Sequence, residues 1–541
     1  MKRLLLLGLS ACAPFVTSDE FDASADPCAL AAHHSGRATV LGAKGPCDAR
    51  WVVTGDAAND ALGGALAPVG DVDGDGVDDL AIGSPGAHGA RGSVLVFDSA
   101  TLAETSSIQA ADAAHVVVGE ANGDGAGATY TSLSSRDGQT GRELVVAAPG
   151  NDAGGADAGM VVIATTSELE RGTALQLSSV ATRLVGNSRY RAGTALAVVD
   201  SVDDDAFEEL VVGAPNATMG AAASGTVFVV HSATLPLGTT TSLRDETASF
   251  PYVGADCAFG YSIATFDGDP RDVHRSGLVV GAPMHPNDAW GLWDQKNWGR
   301  AWLFGDTTLP APKTEKPVLE PYSAYAVNLR AETFFSYVEE ELRWRDDEAR
   351  IGSVVAVVPD MDGGGVDELV LAGSYDTPDD VVVFIVRGEE MLGQLGSIFL
   401  IEDRAAVRIV TTRASVATVA AIAGVHDLDG DGLGDLLIGD PYVDSSDALD
   451  VGRVHVFTSA MLFPDGPDVL PGGGAGQRTL SLDDATQVLT GTIPGARFGG
   501  SVGEVGDLDG DGVPEIAVGA PGTPDASGRP VGRVMIYRGG R

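Results

Sequence analysis

Three stretches of nine residues in this chain carry carboxylates at positions 1, 3, 5 and 9. They are Asp71, Asp73, Asp75 and Asp79; Asp427, Asp429, Asp431 and Asp435; and Asp507, Asp509, Asp511 and Glu515. That spacing gathers hard oxygens around one point, which suits a hard cation such as calcium. Gly76, Gly432 and Gly512 let each loop curl tightly. A fourth loop is nearly complete: Ser201, Asp203, Asp205 and Glu209. Asp360, Asp362 and Glu368 make a fifth, with Gly364 where position 5 is acidic elsewhere, and Ser135, Asp137, Gln139 and Glu143 make a weaker sixth. Residues 269–277 occupy the corresponding place once more, but Arg271, His274 and Arg275 would repel a cation, so that site reads as lost. Two rival explanations meet these loops. An EF-hand needs a bidentate Glu at position 12, where this chain has Ile82, Ile438 and Val518 inside apolar runs. A solvated Asp-Gly turn without an ion would leave four close carboxylates repelling one another.

The elements that hold these loops repeat with them. A short apolar strand follows each loop and recurs seven times, starting at residues 80, 144, 210, 278, 369, 436 and 516, at intervals of 64 to 91 residues. A small or apolar residue followed by Gly usually stands eight residues before the loop, as in Leu62-Gly63, Ala126-Gly127, Ala192-Gly193, Phe259-Gly260, Ile351-Gly352 and Phe498-Gly499. A further marker of the type WVVTG or YVG precedes that pair, and another apolar strand such as GSVLVF or GRVHVF follows the loop strand. Alternation and β-branched content make these segments strands. Each unit is therefore four short strands. One such sheet cannot bury both faces, whereas seven packed radially can, so the fold class is all-β, a seven-bladed β-propeller of four-stranded blades.

At this point the markers resemble the FG-GAP repeats of the integrin α-subunit head. Phe259-Gly260 with Gly281-Ala282-Pro283, and Phe498-Gly499 with Gly519-Ala520-Pro521, match the name directly. The resemblance covers about residues 50–541. It fails at Leu371-Ala372-Gly373-Ser374, which lacks the Pro corner, and in the sixth unit, which has no FG pair near Val419. It implies that each acidic loop joins the first and second strands of a blade, with a backbone carbonyl at position 7 adding to the side-chain ligands. Three to five calcium ions would stiffen one face, at a Kd of about 10⁻⁴ to 10⁻³ M as in extracellular calcium modules. The last unit ends at Arg541 after its third strand, while an orphan strand stands at residues 50–55. The N-terminal strand is expected to complete the last blade and close the ring.

Lys2, Arg3 and the apolar run Leu4 to Leu9 read as an export signal too short to span a bilayer. Leu9-Ser10-Ala11-Cys12 resembles a bacterial lipobox, which implies lipidation of Cys12 and a signal peptide over residues 1–11. Residues 12–49 then form an N-terminal tether. Export permits disulfides, and Cys28 and Cys47 bracket the segment before the repeats, so they are expected to pair, leaving Cys257 as a buried thiol in a strand. A metal site from Cys28, His33, His34 and Cys47 lacks standard zinc spacing. The net charge of −42 excludes nucleic acid as a partner.

Little suggests chemistry beyond ion binding. Gly499-Gly500-Ser501-Val502-Gly503 matches GxSxG, but on a blade strand and not at a strand-to-helix elbow. Two insertions carry the remaining information. Residues 284–298 hold Trp290, Trp293 and Trp298, half of the six Trp. This loop joins strands two and three, so it should lie opposite the acidic loops, on the face where integrin heads dock ligands. It is the expected site for a protein or glycan ligand, aromatic side chains being favoured anchors; the alternative is a cluster that packs the long loop onto its neighbour. Residues 306–340 form the second insertion, expected to contain a helix over AETFFSYVEEEL ahead of a strand at Glu341 to Arg345. The reading is an exported binding or cell-adhesion module and not an enzyme, held extracellularly as an outer-membrane or cell-surface lipoprotein, or else secreted. The alternative is a hydrolase or lyase on a propeller scaffold, acting on surface carbohydrate or lipid.

Overall fold

A computed structural model describes residues 39–540 apart from 44, 137, 201–204, 206, 219–223, 247, 252–256, 267–276, 285–298, 306–325, 331–336, 339–340, 343–349, 374–381, 393–397, 411–418, 446–447 and 467–476. Cys12, Cys28 and the three Trp of the first insertion lie outside the described residues, as do Asp137, Ser201 and Asp203.

The chain forms seven antiparallel blades in sequence order around a ring. In blade one the strands run Ala65–Leu66, Leu80–Ser84, Ser93–Phe97 and His115–Val118, from the centre outward. The two middle strands are buried at every residue, because each blade face packs on a neighbouring blade. This is why they read as unbroken apolar runs. Outer strands alternate: Trp51 and Val53 are buried while Val52 and Thr54 are partly exposed.

Blade seven closes the ring as the sequence implies. Its first three strands are Ser501–Glu504, Ile516–Ala520 and Arg533–Tyr537, and its fourth is Trp51–Thr54 from the other end of the chain. The register pairs Trp51 with Ile536 and Thr54 with Arg533. Indole Nε1 of Trp51 donates to the Leu102 carbonyl at 2.9 Å, fastening the closing strand to blade one. The packed region starts before residue 50: Val40, Ala43 and Ala49 are buried against Leu489 and Val454 of blade six.

The repeat markers turn out to be inter-blade joints. The Gly63 amide donates to the carbonyl of Gly83 in its own blade at 3.1 Å, and the Gly499 amide to Gly519 at 2.9 Å. A Cβ on Gly519 would sit 2.3 Å from the Gly63 carbonyl of the next blade. Only a residue without a side chain lets the two backbones approach so closely. Blades two and five depart with Ala147 and Ala372; the blade after blade two keeps Gly193, and the blade after blade five has Ala420, whose amide still donates to Gly439.

Among the described residues, five blades are also strapped by a strand from the next blade. Ser107–Gln109, from the connection between the third and fourth strands of blade one, pairs in parallel with the closing strand Trp51–Thr54. Ala174–Gln176, Thr240–Ser242, Ile398–Leu400 and Arg478–Ser481 repeat this on blades one, two, four and five.

The second insertion differs from expectation. The fourth strand of blade four is Ala326–Arg330, not a strand at 341–345. Where a helix was expected, Tyr337–Val338 pairs antiparallel with Glu341–Leu342; an aromatic and a β-branched residue at 337 and 338 favour a strand over a helix there. Cys257 is buried as expected, but in the connection before Phe259 and not in a strand. Cys47 is buried in a short 3₁₀ turn, Pro46–Asp48. Among the described residues no helix is long and apolar enough to cross a membrane.

Candidate metal centres on one rim

Every acidic loop joins the first strand of a blade to the second, so all lie on one rim. In blade one the position 1 carboxylate organises the turn: Asp71 Oδ1 accepts from Gly74 at 2.6 Å and Oδ2 from Gly76 at 2.8 Å. Asp427 does the same in blade six, at 2.6 Å from Gly430 and 2.7 Å from Gly432, and Asp507 in blade seven accepts from Gly512 at 2.7 Å. Gly76, Gly432 and Gly512 have φ between 85° and 92°, which explains their place at position 6. The position 5 carboxylate caps position 7: Asp75 accepts from Val77 at 2.9 Å, Asp431 from Leu433 at 2.9 Å and Asp511 from Val513 at 3.1 Å.

Position 9 opens the second strand in blades three, five and six and directly precedes it in blades one and seven, so the strand carries it into the interior. Asp79, Glu209, Glu368, Asp435 and Glu515 are all at most 1% exposed. One oxygen of each of four of them accepts the position 2 amide: Asp79 from Val72 at 2.8 Å, Glu368 from Met361 at 2.5 Å, Asp435 from Leu428 at 2.8 Å and Glu515 from Leu508 at 2.8 Å. The other oxygen of Asp79 and of Glu368 is buried without a hydrogen-bond partner. An orphaned buried carboxylate oxygen is costly. Burial, the largest cause, lifts Asp79, Asp435 and Glu515 to about 7 and Glu368 to about 9, with neighbouring acids adding to the rise at Asp79 and Glu368.

The loops converge to different degrees. Asp71, Asp73 and Asp79 each offer an oxygen within 4.8 Å of the others, as do Asp427, Asp429 and Asp435, and Asp507, Asp509 and Asp511. In blade one the position 5 residue, Asp75, is held instead by the Ser99 hydroxyl at 2.6 Å, and Ser459 holds Asp431 at 2.5 Å in blade six. In blade three Asp205 accepts from Phe207 at 2.7 Å, so the described half of that loop keeps the same turn.

Basic residues that the spacing argument overlooked enter several loops. In blade two, Arg136 Nε lies 2.7 Å from Glu143, both almost fully buried. The position 9 carboxylate of this loop is thus paired with a guanidinium of its own chain. In blade seven, Arg50 Nη1 contacts Asp509 and lies 3.7 Å from Glu515, while Arg538 lies 3.5 Å from Asp509. Arg50 directly precedes the closing strand, and Arg538 directly follows its partner strand Arg533–Tyr537. Blade five gathers Asp362 and Glu368 with Glu389, a carboxylate from outside the loop.

Comparison with known proteins agrees with this architecture. A family model described as FG-GAP repeat matches residues 62–97 and 499–537, in each case running through the acidic loop to the end of the third strand. The chain is 32% identical to integrin alpha-8 of Mus musculus over 178 residues, 31% of this chain and 14% of that protein. It is 36% identical to a phosphatidylinositol-glycan-specific phospholipase D of Bos taurus over 116 residues, 21% of this chain and 12% of that protein. The chain thus spans about a seventh of the length of the integrin relatives it matches, at 14% to 16%. A crystal structure of BBS1N in complex with ARL6DN, soaked with mercury, is similar with a TM-score of 0.40 and 13% identity, covering 91% of this chain and 98% of that chain. The chain carries FG-GAP repeats and is an integrin-α-like β-propeller.

Proposed function

We propose that this propeller is a calcium-stabilised binding or adhesion module working outside the cell. The observation that carries the calcium reading is the Asp79 carboxylate, fully buried, with one oxygen tied to the loop and the other without a partner among Asp71 and Asp73. Those side chains fit a hard cation: all donors are oxygens, and a divalent ion would offset their mutual repulsion. Asp71, Asp73, Asp75 and Asp79 would hold one ion, Asp427, Asp429, Asp431 and Asp435 a second, and Asp507, Asp509, Asp511 and Glu515 a third. Ser201, Asp203, Asp205 and Glu209 complete the set of full-length loops. Calcium titration of the full chain by calorimetry tests this, and no heat up to several millimolar would refute it.

The binding role rests on the similarity to integrin α subunits. The ligand, a protein or glycan, would dock on the face opposite the acidic loops, through Trp290, Trp293 and Trp298. Lipidation at Cys12 would anchor the chain without spanning the membrane, and a Cys28–Cys47 disulfide would staple the tether. Pull-down from intact cells with the W290A/W293A variant tests the face: undiminished capture, with calcium uptake intact, would remove it. The similarity to a phospholipase D favours a second reading, hydrolysis of a surface lipid or carbohydrate. Turnover of a glycosylphosphatidylinositol-anchored reporter by the purified chain separates the two.

A further inference from the structure

We infer that blade five carries a divalent-cation site whose position 5 ligand comes from a different part of the chain, Glu389. The inference rests on the calcium reading above and extends it to a loop that lacks one of its acids.

Three features of blade five fit together. Position 5 of its loop is Gly364, and a Cβ there would lie 1.9 Å from Glu389 Oε1. The Glu389 carboxylate therefore fills the space into which an Asp at position 5 would project. Glu389 sits in the short helix Gly388–Leu392 that follows the third strand. The strand pairings Leu369↔Val386, Leu80↔Phe97 and Leu436↔Phe457 put Gly388 in register with Ser99 and Ser459, the residues that hold the position 5 acid in blades one and six. Gly388 is needed there: a Cβ would lie 2.3 Å from the Val366 side chain and 2.4 Å from the Asp367 carbonyl. Losing that side chain lets the helix lie against the loop, and the next residue delivers the acid.

The site has its own independent pointer to a ligand. Glu368 is fully buried, its Oε2 accepts from Met361, and its Oε1 has no hydrogen-bond partner. Oxygens of Asp362, Glu368 and Glu389 lie within 4.8 Å of one another, and Asp360 orders the turn by accepting from Gly365 at 2.7 Å. The site is less acidic than the others, because Arg387 lies 2.9 Å from Asp362 Oδ2. Arg387 is itself drawn toward blade six, with its guanidinium 5.0 Å from the Phe463 ring. A hard divalent cation at this place would bind more weakly than in blades one and six. The neighbouring acid, Glu390, is engaged elsewhere, 2.9 Å from Arg404.

The test is calorimetric titration of the full chain with calcium chloride after chelator treatment, using wild type, E389A, E389Q, E390A and the double variant G364D/E389A, each checked by its melting curve. E389A and E389Q are expected to lose one binding equivalent, or to weaken it at least tenfold, with the remaining equivalents unchanged. E390A should titrate as wild type. G364D/E389A should regain the equivalent, because the position 5 acid is restored in the space that Glu389 vacates. Wild-type titration by E389A overturns the inference, as does the same loss in E390A. A double variant that stays deficient overturns Glu389 as a ligand. No calcium uptake by any protein, wild type included, overturns the calcium reading itself.

Discussion

Arg50 and Asp509 are 459 positions apart and in direct contact. The guanidinium stacks on Trp51 at 4.0 Å while it reaches the position 3 acid of the last loop. The residue that opens the closing strand thus compensates a loop built at the other end of the chain. R50A should lower the stability of the calcium-free protein by about 1 kcal/mol, as expected for a partly exposed pair. It should also shift calcium uptake at that loop to lower concentration, since the competing charge is gone. Chemical denaturation in chelator together with a calcium titration checks both signs.

Removing the closing strand should cost far more. A chain beginning at residue 57 lacks buried Trp51 and Val53 and the ladder onto Arg533–Tyr537. Loss of a large buried side chain alone is worth about 3–5 kcal/mol, so a drop in Tm well beyond ten degrees is expected. Unchanged melting of this truncation would contradict closure by the N-terminal strand.

Substituting a single position 9 acid separates ion binding from folding. D79N or D435N should take up one calcium fewer. In chelator such variants should be about as stable as wild type. At a calcium concentration about twenty times Kd they should lack about 2 kcal/mol of the stabilisation wild type gains. Equal calcium-dependent shifts in melting for variant and wild type would argue against those loops as sites.

The chelated protein should lose stability as pH rises. Asp79, Asp435 and Glu515 are raised to about 7 by burial. In the unfolded chain such acids ionise near pH 4. Their raised folded values contribute stability that is complete below about pH 4 and fades as pH climbs through 7, with Glu368 extending the loss toward 9. Urea midpoints measured across this range in chelator should fall. With calcium present the fall should be much reduced. A flat profile in chelator would count against buried, uncompensated acids.

The sequence made the blade number and the loop positions readable because both recur in register, and the middle strands are apolar throughout. What it concealed does not recur. Glu389 compensates for Gly364 through a helix on another strand connection, so only the fold brings them together. Arg136 and Arg50 break the acidic pattern at single positions with no period. The straps, such as Ser107–Gln109, are three or four residues long and too short for any alternation to show. The fourth strand of blade four was misplaced because AVNLR sits inside an insertion where no marker flanks it.

The straps have a consequence for the crowded surface at which such a protein would work. An outer strand normally offers a row of unpaired amides and carbonyls on which another chain can grow. Here the closing strand and the outer strands of blades one, two, four and five each meet a strand donated by the next blade. Blade six, whose successor is split between the two chain ends, is covered instead by residues 39–49, with Gln487 Nε2 donating to Ala43 at 3.0 Å. Along these described strands neighbouring copies find few open ladders, and a dense layer of these rings could form without fusing there into sheets.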